Sequence, residues 1–80
     1  MTYEQFIEQI RNFIATRAKV QPQVIQADTP LIDSGYVDSL LLTELILFVE
    51  DLLGCNIDID DFRISKFETI ESIYQNYGHR

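Results

Sequence analysis

The sequence predicts an all-α fold, a small bundle of three principal helices with a shorter fourth, and three observations carry this. Apolar residues recur at spacings of three and four along separate stretches of the chain. Each of those stretches opens on a capping residue and closes on a stop signal. The single stretch that alternates apolar and acidic residues, Asn56 to Phe62, has no partner elsewhere with which to form a sheet. Eighty residues are expected to form one domain, 1–80, with a modest core.

The first helix is announced by Thr2 with Gln5 three residues on, the pattern of a capping box. Tyr3, Phe6, Ile7, Ile10, Phe13 and Ile14 then follow helical spacing and are read as core. The helix is expected to end near Ala18 or Lys19, where Arg17 and Lys19 suit its negative end. From Val20 to Val37 the periodicity breaks, and Pro22, Asp28-Thr29-Pro30 and Asp33-Ser34-Gly35 oppose a long helix. Val24, Ile25, Leu31, Ile32 and Val37 should pin this long segment across the helices, with room for a short helical turn after Pro22.

The second helix should run from Ser39 to Leu53, with Asp38 as N-cap and Gly54 as stop. Only Thr43 and Glu44 are not apolar among the ten residues Leu40 to Val49, where one buried stripe needs about half of the positions. Thr43, Ile46, Val49 and Leu53 are assigned to the core face, with Leu42 and Leu45 at its edges. Leu40, Leu41, Leu47 and Phe48 are left at the surface, as a contact face. Asn56 to Phe62 is read as an extended loop entering a helical turn near Asp60–Ile64, and Thr69 as the cap of a last helix. Ile70, Ile73, Tyr74 and Tyr77 of that helix face inward, and Gly78 closes it.

The charge bounds the function. The net −7 is unevenly spread: no Lys or Arg occurs between Lys19 and Arg63, while nine acids do. Nucleic-acid binding needs clustered cations, so this acidic middle argues against it and favours protein partners with a basic patch. A single cysteine, Cys55, allows no internal disulfide, and is read as a small buried residue near a helix end. No Cys/His cluster has metal-ligand spacing, and Asp58-x-Asp60 lacks the glycine and distal glutamate of a calcium loop. The apolar run of the second helix is broken by Glu44, Glu50 and Asp51 and is too short to span a bilayer. Met1 to Gln5 has no basic segment leading into an apolar one, so a soluble, cytoplasmic chain is expected.

Ser39 is the residue of chemical interest. A helix start offers unpaired N–H groups and the positive end of the helix dipole, and orients an anion such as phosphate. No base accompanies the serine: the only histidine, His79, is next to the C-terminus, and no triad or Ser-Lys pair can be assembled. The adjacent acids Asp60 and Asp61 make a poor acid/base pair. A hydroxyl at a helix start without a base reads as a group to be modified.

Asp38-Ser39-Leu40 at the head of the second helix, Glu44-Leu45 within it, and Phe67-Glu68-Thr69-Ile70-Glu71-Ser72-Ile73 at the last helix resemble an acyl carrier protein. The likeness runs along essentially the whole chain. It implies a helical bundle of the acyl-carrier-protein type, with 4'-phosphopantetheine carried covalently on Ser39 between Asp38 and Leu40. It also implies a phosphopantetheinyl transferase that adds the group from coenzyme A, acyl-loading and acyl-transferring or modifying enzymes as further partners, and no catalysis by the chain itself. Leu41, Glu44, Leu47, Glu50 and Asp51, with Leu40, would form the partner-docking face of a monomer. Tyr36 and Val37 both separate Gly35 from Asp38-Ser39, and Leu41 stands where fatty-acid-synthesis carriers usually have an acid. With Val49-Glu50 and the run from Asp60-Asp61-Phe62 to Phe67-x-Thr69-Ile70, these features look more like stand-alone acyl or aminoacyl carriers of specialised biosynthesis. The D-alanyl carrier proteins, loaded by an adenylating ligase, are of that type. A docking module of the same fold without the arm is the competing expectation.

Overall fold

The computed structural model describes residues 1–58 and 63–78, which form a helical bundle. Helix α1 spans Tyr3–Ala18. Its capping box forms as the sequence predicts: Gln5 N–H donates to Thr2 Oγ1 at 3.1 Å, and Thr2 N–H to Gln5 Oε1 at 2.9 Å. Lys19 ends it in the left-handed region (φ 59°), its N–H returning to the Ala15 carbonyl. Phe6, Ile7, Ile10, Ile14 and Ala15 are buried. The aromatic stripe is less internal than expected. Tyr3 is 39% exposed and meets the Tyr74 ring edge-on at 4.8 Å. Phe13 lies at the edge of the core, stacked on Phe48 at 4.3 Å.

The long approach to α2 is held from two sides. A 3₁₀ turn occupies Pro22–Val24, where a short helical turn is predicted. Ile25, Leu31 and Val37 are completely buried, whereas Ile32 is half-buried and Val24 points outward. Arg11 Nε donates to the Ile25 carbonyl at 2.7 Å, fixing the segment to α1. Leu31 N–H donates to Glu68 O at 2.8 Å and Glu71 N–H to Ala27 O at 3.0 Å, fixing it to the C-terminal end of the chain. A buried loop needs such bonds, because its main-chain polar groups are removed from water.

Helix α2 spans Ser39–Leu53 and stops at Gly54, whose φ of 65° suits a residue without a Cβ. Its ends match the prediction, but its rotation does not. The buried stripe is Leu41, Leu45 and Val49; Leu42, Ile46 and Leu53 are half-buried, and Thr43 is exposed, its Oγ1 donating to the Ser39 carbonyl at 3.2 Å. Leu41, expected on the surface, is 8% exposed, and Phe48 is half-buried. Eight apolar residues in ten offer more than one candidate inward stripe, so the neighbouring elements choose the inward face.

Cys55 is half-buried rather than buried. Asn56 to Asp58 carries no regular structure, and the turn expected near Asp60–Ile64 falls largely outside the described residues, as does His79. A 3₁₀ turn at Ile64–Phe67 buries Phe67. Helix α3, Ile70–Ile73, is capped by Thr69, whose Oγ1 accepts from Ser72 N–H at 3.0 Å. It then widens into a π turn, Tyr74–Gly78, where a regular helix is expected. Ile70, Ile73 and Tyr77 are buried as predicted; Tyr74 is half-buried, its ring against Tyr3 and Phe6. The described helices include none long and apolar enough to cross a membrane.

Candidate functional site

Ser39 is the first residue of α2 and is exposed. Immediately before it, Val37 is anchored in the core with its N–H on the Leu31 carbonyl at 3.0 Å. Asp38 then leaves the core in an extended conformation (φ −94°, ψ −176°), and Oδ1 accepts from Leu41 N–H at 2.8 Å. The Asp38 carbonyl accepts from Leu42 N–H at 2.8 Å, closing the first helical turn. The N–H groups of Ser39 and Leu40 are left without a partner among the described residues. The serine hydroxyl also makes no hydrogen bond among them, so none of these residues is positioned as a base to activate it. An unengaged hydroxyl at the positive end of a fifteen-residue helix, open to solvent, fits a phosphate ester on its oxygen.

The remaining residues of the predicted docking face divide. Leu40 and Leu47, 72% and 57% exposed, stand on the outer side of α2 with Thr43 and Asp51. Leu41 is turned inward and leaves this face. Glu44 is drawn toward α1, its Oε2 lying 3.6 Å from Arg17 Nε. Glu50 is half-buried and accepts the Ile57 N–H at 2.7 Å, holding the chain that leaves α2. The free acidic charge of the helix is therefore smaller than its composition implies.

Arg17 is the site residue that sequence reasoning places only at the helix end. Its guanidinium lies 4.5 Å over the Phe13 ring and beside Glu44, next to a groove that ends at Asp38 and Leu40. The only hint in the sequence is its position in the last turn of α1; its partners come from another helix.

The bundle presents a bare, outward-facing serine at the start of α2. Residues 8–76 match the family model described as the phosphopantetheine attachment site, and the chain belongs to that family. The fold is similar to that of a holo acyl carrier protein from Nitrosomonas europaea determined by NMR in solution, with 22% sequence identity over 94% of each chain and a TM-score of 0.75. The chain is a carrier rather than an enzyme, with covalently attached 4'-phosphopantetheine as its prosthetic group. Carriers of this kind work with a phosphopantetheinyl transferase and with acyl-handling enzymes.

Proposed function

We propose that Ser39 is the attachment residue and that residues 1–80 act as a single monomeric carrier domain in the cytoplasm. The observation that supports this reading is the exposed Ser39 hydroxyl, free of hydrogen bonds among the described residues, on the first residue of a capped helix. When bound, the group supplies a thiol that holds acyl or aminoacyl cargo as a thioester. The chain presents the hydroxyl for the transferase. In loading, the serine oxygen bonds to the phosphorus of coenzyme A that bears pantetheine, the P–O bond of the pyrophosphate breaks, adenosine 3',5'-bisphosphate leaves and the hydroxyl proton is released. Asp38 keeps the helix start in register during this exchange through its bond to Leu41 N–H. Leu40, Leu47 and Asp51 form the face on which partners dock, steered by the acidic middle of the chain. Two residues between Gly35 and Asp38, and Leu41 in place of an acid, support a stand-alone carrier of the D-alanyl-carrier-like type. Such a carrier serves specialised biosynthesis and is filled by a separate adenylating ligase.

Intact mass before and after incubation with coenzyme A and a broad-specificity transferase tests the assignment. The parent should gain one phosphopantetheine, and Ser39→Ala none while keeping the parent's circular dichroism. Loading of the alanine variant would refute the site. A parent that stays unloaded while a control carrier is filled would favour the docking module without an arm.

A further inference from the structure

A groove of about 270 Å³ runs beside the start of α2, and three separate elements wall it. Arg17 comes from the end of α1, Tyr36 and Asp38 from the approach, and Leu40 and Glu44 from α2. Asp38 and Leu40, which line the groove, flank Ser39 in the chain, so the serine lies within one residue of its wall. Among the described residues Arg17 is the one cation in its lining, where the carboxylates of Asp38 and Glu44 also stand. A guanidinium has five N–H donors, and here a ring face and one long contact to Glu44 engage it only partly. Leu40 is 72% exposed and Tyr36 half-buried, so apolar surface lies next to those donors.

This pairing complements one occupant already tethered at the groove's edge. Phosphopantetheine has an anionic phosphodiester, then a segment bearing two methyl groups, then amides with carbonyl acceptors. A tethered ligand reaches a local concentration on the order of millimolar, so a shallow seat suffices to hold it. We propose that the groove between α1 and α2 seats the proximal part of the arm on Ser39, with Arg17 donating to its oxygen atoms and Leu40 and Tyr36 covering its methyl-bearing segment. This rests on the reading of Ser39 as the attachment residue. Because Leu40 also belongs to the docking face, a partner that covers it competes with the seat and frees the arm on arrival.

Nuclear Overhauser spectra of the isotopically labelled holo protein test the seat, with intact mass on the same samples and Arg17→Gln beside the parent. Expected are cross-peaks from the two methyl groups of the arm to Leu40 and Tyr36, and a shift of the Arg17 Nε–H resonance between the unloaded and loaded forms. Arg17→Gln should load fully, keep its core resonances and lose most of the intensity of those cross-peaks. Full loading without cross-peaks, or cross-peaks unchanged in the variant, would overturn the seat and leave the attachment reading intact. A parent that gains no mass would overturn the attachment reading, and the seat with it.

Discussion

Truncating Leu41 and Leu47 to alanine separates the two faces of α2. Leu41 is 8% exposed and Leu47 57%, although both stand in the same apolar run. Loss of a buried leucine side chain costs about 2–5 kcal/mol, as lost burial plus the cavity left behind. Leu41 borders the groove beside Ser39, so its cavity can partly fill with water or relax, and the lower end, about 2–3 kcal/mol, applies. An 80-residue domain has roughly 4–12 kcal/mol of stability in total. At about 4–8 °C per kcal/mol for this size, Leu41→Ala should lower Tm by roughly 10–20 °C. Leu47→Ala, an exposed truncation, should cost no more than about 0.5 kcal/mol, or a few degrees. Helical circular dichroism followed through thermal and urea unfolding reads both. Equal melting of the two variants would refute the rotation of α2, and with it the removal of Leu41 from the docking face.

Three further perturbations follow from the caps and the loop ties. Asp38→Ala removes the acceptor of Leu41 N–H and should cost about 1 kcal/mol, whereas Asp38→Asn keeps an acceptor and should lose only a few tenths, about what the helix dipole contributes; chemical denaturation ranks them. Glu50→Ala strips the Ile57 N–H of its acceptor and should cost about 1 kcal/mol, while Glu50→Gln retains the bond and stays within about 0.5 kcal/mol of the parent. A purely surface role for Glu50 would leave the two melting alike. Lys19→Gly and Gly54→Ala should change the unfolding free energy in opposite directions, up by about 0.5–1 and down by about 1 kcal/mol, with Tm following, because both positions have positive φ. Nothing lies within 4 Å of a Cβ built at Gly54, so its cost is backbone strain alone.

What the sequence made legible tracks where the deciding interactions are local. The ends of α1 and α2 are set by Thr2, Asp38 and Gly54 acting within a few residues, and both were readable to the residue or nearly so. The place of Ser39 at the start of α2 was readable for the same reason, since the Asp38 cap defines that start. The rotation of α2 was not, because its apolar residues surround most of the helix and α1, the approach and the C-terminal turns select the inward stripe. Nor was the engagement of Glu44 and Glu50: Arg17 reaches Glu44 from 27 positions earlier, and Ile57 meets Glu50 only because the chain folds back after Gly54. The π turn at Tyr74–Gly78 depends on contacts just as remote. Tyr74 packs its ring on Phe6 of α1, from the opposite end of the chain.

The way the approach to Ser39 is fastened bears on how such a chain can change over evolutionary time. Its ties at Ala27, Leu31 and Val37 are main-chain hydrogen bonds, which any residue can make if it keeps its N–H or carbonyl. Three buried side chains, Ile25, Leu31 and Val37, do the rest. Asp33, on the exposed stretch between those anchors, is therefore free to drift in size and charge without displacing the serine. Lineages could rewrite this stretch of surface while Ser39 stays in place.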